Sequence, residues 1–319
     1  MKKRFQILPF VLLGFSNISC KQIFSGSDQG ADEKIFWNGT AEVRGQRLGL
    51  QKYELALTLD DGPSAYTARL ARYLKHKNVH ATFFMNYKNG DFGIGQDFGL
   101  ATLKSICDMK FHAVGNHSDF HLLGKKATEG RTWENIRRVH EALKQNCPQP
   151  YYFFRSPGGN WNGEEEAANK NAQLDIEGIP LGEQYIGPVY WDYGGDAPVA
   201  DWDAKGCQTN INACRDAYVA SILETKGKGG VVLTHDIYKT TMELLMGKNW
   251  AALLEDPTGD DHDGFIARMQ AAKYKFVALG GNEKAIENLL KGIKPTPTAT
   301  PTVTPTSAPT AMPTPPATK

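Results

Sequence analysis

Between Tyr53 and Leu290, short apolar runs alternate with amphipathic stretches, and this alternation limits the fold more than any other feature of the chain. Strands are predicted at Glu54–Leu59, Ala81–Met85, Phe111–Val114, Tyr151–Phe154, Val189–Asp192, Val231–Thr234 and Phe276–Leu279. Helices are predicted at Thr67–Lys77, Leu103–Met109, Trp133–Gln145 and Asn282–Leu290. In the first of these, Ala68, Leu70, Ala71 and Leu74 fall at helical spacing; in the third, Ile136, Val139, His140 and Leu143 share one side. Strands that alternate with helices imply parallel βαβ units, an α/β class. About seven such units point to a (β/α) barrel rather than an open sheet. The stretches Asn86–Leu100, Gly182–Cys214 and Lys239–Asp263 are too long for minimal connections and read as loops that carry function or specificity.

The two ends of the chain are read apart from this domain. Lys2, Lys3 and Arg4 precede an apolar segment from Phe5 to Phe15, and small or polar residues then lead to Cys20. Charge, a short apolar core and a cleavage region make a secretory signal, and Pro9 weakens a permanent helical anchor. Asn17-Ile18-Ser19-Cys20 resembles a bacterial lipoprotein processing site, with Asn where the pattern usually carries Leu. Lipidation of Cys20 and plain cleavage both stand. The expected organisation is a signal peptide over residues 1–20, an extension over 21–50, one catalytic domain over 51–293 and a tail over 294–319. That tail is nearly all Pro, Thr and Ala, a composition that stays extended.

Export agrees with the cysteines. Setting Cys20 aside leaves Cys107, Cys147, Cys207 and Cys214, which an oxidising compartment would pair. Cys207 with Cys214 closes a short gap. Cys107 and Cys147 each end a helix-like segment ahead of a strand, so they can lie side by side. A structural zinc site is disfavoured, because there is no Cys-x-x-Cys pair. A formal net charge of +1 gives no field for nucleic acid or an anionic membrane. There is also no apolar run of 18 residues that would cross a bilayer as a helix.

Titratable residues recur just after the strands. Asp60-Asp61-Gly62-Pro63 follows the first, His117-Ser118-Asp119-Phe120-His121 the third and Arg155-Ser156-Pro157-Gly158 the fourth. Asp192, Asp196 and Asp201-Trp202 follow the fifth, and His235-Asp236 the sixth. In a βα barrel these ends share the face that holds the active site. His117 and His121, four apart, can grip one metal if the backbone turns helically between them. A carboxylate from Asp60 or Asp61 completes a two-His, one-Asp site with room for water and substrate. The other carboxylate can take a proton from that water, Arg155 can help keep both ionised, and His235 can protonate a leaving amine. Singly, each has a plainer reading: Asp-Asp-Gly as a turn, His-x-x-x-His as incidental, His235 as a structural histidine. Their order along the chain is what joins them.

The motifs resemble those of the polysaccharide deacetylase family, the NodB-homology domain or carbohydrate esterase family 4, over roughly Leu55 to Leu279. Leu57-Thr58-Leu59-Asp60-Asp61-Gly62-Pro63 is similar to the first motif, which implies Asp60 as general base and Asp61 as metal ligand. His117-Ser118-Asp119-Phe120-His121 resembles the second and implies both histidines as ligands, with Ser118 bracing the loop. Arg155-Ser156-Pro157 resembles the third and implies that Arg155 pairs with Asp60. There Gly158 stands where an aromatic residue is usual; it keeps a backbone N–H for the oxyanion but no aromatic wall, which Trp161 could replace. Leu233-Thr234-His235 resembles the fifth and implies His235 as general acid and Leu233 in the acetyl pocket. Asp201-Trp202 resembles the fourth and implies Asp201 orienting His235 and Trp202 lining that pocket, though Asp192 or Asp196 could orient the histidine instead. The family implies a distorted (β/α) barrel of about seven strands and Zn2+, or another divalent ion such as Co2+.

The expected function is removal of N-acetyl groups from an exported polysaccharide, peptidoglycan or another N-acetylglucosamine polymer, in the periplasm, at the outer membrane or outside the cell. An O-acetyl esterase of xylan type and a non-catalytic glycan-binding protein are the alternatives.

Overall fold

The structure is a computed structural model that describes residues 43–123, 132–160, 176, 178–180, 182–196, 199–259 and 261–291. The expected signal segment with Cys20, the residue Trp161 and the Pro/Thr tail lie outside the described residues.

Four parallel strands form the centre of the sheet: β1 (Glu54–Asp60), β2 (Ala81–Met85), β3 (Ala113–Asn116) and β6 (Gly230–His235), in the order β3-β2-β1-β6. The short β7 (Lys275–Phe276) pairs with the start of β1, and β4 (Tyr152–Phe153) pairs with β5 (Tyr185–Ile186) in a second, two-stranded sheet. Isolated bridges extend the pairing from Asn116 to Phe154 and from Tyr193 to Val232. The α/β class with a parallel sheet is the expected one. Among the described residues the seven strands are distributed over a main sheet and this smaller pair, and the Asn116–Phe154 bridge links the two.

The strands are mostly apolar because both of their faces are covered. Along β1, Leu55, Leu57 and Leu59 pack with Leu70, Ala71 and Leu74 of α1 (Thr67–His76) in the larger core. Ala56, between them, belongs to an inner core with Phe84, Phe153, Ile186 and Val231. Period-2 alternation therefore puts Ala56, Thr58 and Asp60 on the inner face, and Val231, Leu233 and His235 on the inner face of β6. Register pairs Thr58 with Leu233 and Asp60 with His235, so the last two stand side by side at the strand ends.

The remaining helices are α2 (Gly99–Asp108), α3 (Trp133–Asn146), α4 (Ile211–Leu223), α5 (Lys239–Met246), α6 (Trp250–Glu255), α7 (Phe265–Ala271) and α8 (Glu283–Lys291). Three expectations need correction. The run Val189–Asp192 is not a strand: Val189 makes one isolated bridge, to Val43, and the strand in this region is Tyr185–Ile186. The stretches Gly182–Cys214 and Lys239–Asp263 are not long loops, since they hold β5, the start of α4, and both α5 and α6. Helix α2 begins at Gly99, four residues earlier than expected, and β3 begins two residues later. Disulfides join Cys107 to Cys147 and Cys207 to Cys214, with Cα–Cα distances of 5.5 and 4.8 Å.

Candidate active site

The inner-face ends of β1 and β6 and the loops after β3 and β4 bring the titratable residues together. Asp61 follows β1 in a left-handed conformation (φ 77°), one that Asp tolerates better than most residues. Gly62 comes next, and a Cβ there would run into the carboxylate of the buried Asp236, so a larger residue would force that side chain to shift. Asp61 Oδ1 lies 3.3 Å from His117 Nε2 and 3.1 Å from His121 Nε2. One ligand atom from each of the three residues lies within 4.8 Å of the others.

The turn between the two histidines is not helical, as the sequence reading required. Ser118 takes φ 68°, Ser118 N–H donates to Asn116 Oδ1 (2.8 Å), and Phe120 bridges Lys88. Asn86 Nδ2 donates to the carbonyls of His117 (2.6 Å) and Ser118 (3.0 Å), and the Ser118 hydroxyl donates to Phe120 O. Asp119, fully buried, accepts the backbone N–H groups of Arg138 (3.1 Å) and Val139 (2.9 Å) and so ties the loop to α3.

These residues fit a divalent cation. His117 Nδ1–H donates to the carbonyl of Arg155 (2.7 Å), so the network assigns its lone pair to Nε2, facing Asp61. Asp61 Oδ1 is buried and has no hydrogen-bond partner. A buried anion facing a bare lone pair repels it unless a proton or a cation stands between them.

Arg155 is completely buried inside the strands. Its Nη1 donates to Asp60 Oδ1 (2.7 Å) and Thr58 Oγ1 (2.7 Å), and its Nε to the Val189 carbonyl (2.9 Å). The guanidinium lies 4.3 Å above the Phe84 ring. Such a charge is tolerable in the interior only because Asp60 and these acceptors satisfy it. The second oxygen of Asp60 is 3.7 Å from His117 Nε2, beside the cluster.

Across the site, His235 Nδ1 pairs with Asp201 Oδ1 (2.8 Å), while Asp201 Oδ2 accepts the His235 backbone N–H (2.7 Å) and the Thr241 hydroxyl. Burial opposes a charge on this imidazole, yet Asp201, with Asp61 and Asp60 behind it, pushes it up to about 10. Of the three aspartates considered for this contact, Asp201 makes it. Asp192 Oδ2 instead accepts the backbone N–H groups of Gly45 (3.0 Å) and Val231 (2.9 Å), and Asp196 pairs through its backbone with Val199.

Leu233 is buried on the inner face of β6, whereas Trp202 is 44% exposed. Gly158 has φ 60° and Gly159 φ 64°, and a Cβ at Gly158 would fall 2.8 Å from both Leu123 Cδ2 and Asn160 Nδ2. The backbone conformation accounts for the missing aromatic: this turn is left-handed twice in succession. An aromatic does approach from another segment. The Trp191 ring lies against Gly159 and Gly195, near Leu233, and the Tyr190 hydroxyl donates to the Gly159 carbonyl (2.8 Å).

Sequence reasoning gave no role to Trp191, Tyr238 or Asp236. The Tyr238 ring is 5.8 Å from that of His235, and burial with Asp61 and Asp201 pushes its hydroxyl up to about 12. Asp236 is buried behind Gly62, where Thr67 donates to Oδ2, and burial pushes its carboxyl up to about 7. Only its place beside His235 could have signalled it.

Residues 49–176 match the family model described as polysaccharide deacetylase. A peptidoglycan-N-acetylglucosamine deacetylase of Bacillus cereus is 27% identical over 64% of this chain and 67% of its own length. The peptidoglycan-N-acetylglucosamine deacetylase PgdA of Listeria monocytogenes is 26% identical over 70% of this chain, which spans 38% of that longer protein. The chitin deacetylase of the fungal pathogen Colletotrichum lindemuthianum has the same fold, with a TM-score of 0.50 and 20% identity over 72% of this chain and 87% of its own. Residues 49–176 thus match the polysaccharide deacetylase family, and the similar proteins are named as deacetylases, which are hydrolases.

Proposed function

We propose that this protein is a metal-dependent deacetylase that removes N-acetyl groups from an N-acetylglucosamine-containing polysaccharide, peptidoglycan foremost. One observation carries the reading: Asp61, His117 and His121 converge beside an Arg155-bound Asp60 and opposite an Asp201-bound His235. Asp61, His117 and His121 would hold zinc, or cobalt in its place. When bound, such an ion polarises the acetyl carbonyl and makes water a usable nucleophile near neutral pH.

The protein's own groups then divide the proton work. Arg155 fixes Asp60 through Oδ1, which leaves Oδ2 to accept a proton from water beside the cluster. His235 donates from Nδ1 to Asp201, so the proton it can deliver is on Nε2. Its raised pKa keeps it charged at neutral pH, which suits an amine leaving group that must be protonated as the amide breaks. The Gly158 backbone N–H serves as the oxyanion donor, and Leu233 with Trp191 bounds the acetyl group. Trp202 stands further out, where it can meet the polymer.

The names of the Bacillus and Listeria relatives support peptidoglycan as the substrate. The charged and then apolar start of the chain, the Cys20 region and the paired cysteines support export to the envelope. The test is acetate release from peptidoglycan, chitin oligomers, poly-N-acetylglucosamine and acetylated xylan, with and without a chelator and added zinc. Chelator-sensitive release from an N-acetylated member is expected. Release from acetylated xylan alone would replace the amidase with an esterase, and zinc binding without any release would replace it with a binding protein.

A further inference from the structure

Beneath the loop that carries His117, a line of buried polar side chains runs away from the site, and its hydrogens can be placed by elimination. Ser118 N–H needs an acceptor, which identifies the facing atom of Asn116 as Oδ1 (2.8 Å). The Asn116 amide nitrogen therefore points the other way, donating to the Ile136 carbonyl (2.9 Å) and to the Tyr185 hydroxyl oxygen (3.0 Å). With that oxygen accepting from Asn116, the hydroxyl has one proton left to give, and its remaining neighbour is His140 Nδ1 (2.9 Å). His140 must then carry its proton on Nε2, which stands 3.3 Å from Glu183 Oε2. Glu183 is held in turn by Lys144, one turn further along α3.

Each group has its role fixed by the one before it. Tyr185 is the link of the chain, because its hydroxyl joins β5 to both Asn116 and α3. Asn116 and His140 are buried to within 2% of full burial and Tyr185 to 3%, so water cannot readily replace a lost partner. His140 is also fixed as a ring: it lies edge-on to Trp133 at 5.1 Å and to Tyr152 at 4.8 Å.

We propose that Tyr185 is a positioning residue for the cation site, setting the His117 loop through Asn116 and drawing its orientation from His140. This rests on the metal-site reading above. A loop held by fewer bonds places His117 Nε2 less well against Asp61 and His121, and groups that orient ligands commonly affect metal affinity tenfold or more.

The experiment measures zinc dissociation constants by competition with a chromophoric chelator, using the full chain. Tyr185→Phe removes one hydroxyl and leaves the ring. Tyr73→Phe is the control, because it removes a buried phenol that donates to Asp261, far along the chain from the loop. Tyr185→Phe should weaken zinc binding about tenfold while turnover at saturating zinc returns to the parent level. Tyr73→Phe should lower the melting temperature and leave zinc affinity unchanged. His140→Phe keeps a ring against Trp133 and Tyr152 but takes away the acceptor, so it should weaken zinc in the same direction even where Tyr185→Phe fails to fold. Parent-like zinc affinity in both site variants, or equal weakening in Tyr73→Phe, would overturn the proposal. A parent chain that binds no zinc would overturn the metal-site reading and this proposal with it.

Discussion

Asp201 and Gly158 show at the scale of single residues how much a neighbour decides. Asp201 keeps His235 charged, so the alkaline limb of kcat/KM should lie where His235 loses its proton. Asp201→Asn removes the negative charge, lowers that pKa and should move the limb to lower pH, with kcat reduced. A cation at the proposed site would offset the push from Asp61 and Asp60 in both proteins, so the difference between their pH profiles isolates Asp201. An unmoved limb would show that His235 is not the acid. Gly158 makes the opposite point. Restoring the aromatic with Gly158→Tyr should not rebuild a groove wall, because φ 60° strains any L side chain and the new Cβ would crowd Leu123. A loss of about 1–2 kcal/mol by denaturant unfolding is expected; a stabilised variant would contradict it. Both aspartates of the Asp-Asp pair were legible from the chain. The Asp-Trp resemblance pointed to Asp201, but spacing alone could not separate it from Asp192 or Asp196, since all three follow the same apolar run.

At the scale of elements, strand periodicity does most of the positioning. Asp60 and His235 stand side by side because each ends the inward-facing set of its strand and β1 and β6 are in parallel register. That much follows from two apolar runs ending in polar residues. The loop holding His117 and His121 does not, because its shape comes from Ser118 at positive φ and from Asp119 reaching into α3. Asp119→Ala removes both hydrogen bonds to α3 and unties the loop. A cost of about 1–3 kcal/mol is expected by denaturant unfolding, together with weaker zinc binding. Loss of stability alone, with zinc affinity intact, would mean that the anchor is not part of the site. The helices α5 and α6 escaped sequence reading because each is short, at eight and six residues, and too brief for periodicity to stand out.

For the whole molecule, pH stability separates groups far from the chemistry. His112 accepts from Ala81 N–H at Nδ1 (3.3 Å) and donates from Nε2 to the Ala71 carbonyl (2.9 Å), which requires the neutral ring. Burial pushes it down to about 4 against the help of that carbonyl. The unfolded chain binds the proton more readily, so the contribution is complete above the unfolded value of about 6.5 and is lost as pH falls towards about 4. The melting-temperature advantage of the parent over His112→Gln should therefore shrink across that window. A constant difference would show that His112 does not titrate with folding.

Sequence alone determined the class of fold and the chemical inventory, because burial on both faces forces apolar strands and a barrel-like order collects whatever follows them on one face. Tertiary structure alone decided that Asp192 binds the backbone of Gly45 and Val231 instead of His235, which face of Asn116 meets the His117 loop, and that Trp191 rather than residue 158 approaches the Gly159 turn. Those choices depend on contacts between residues far apart in the chain, where spacing along the sequence carries no distance information.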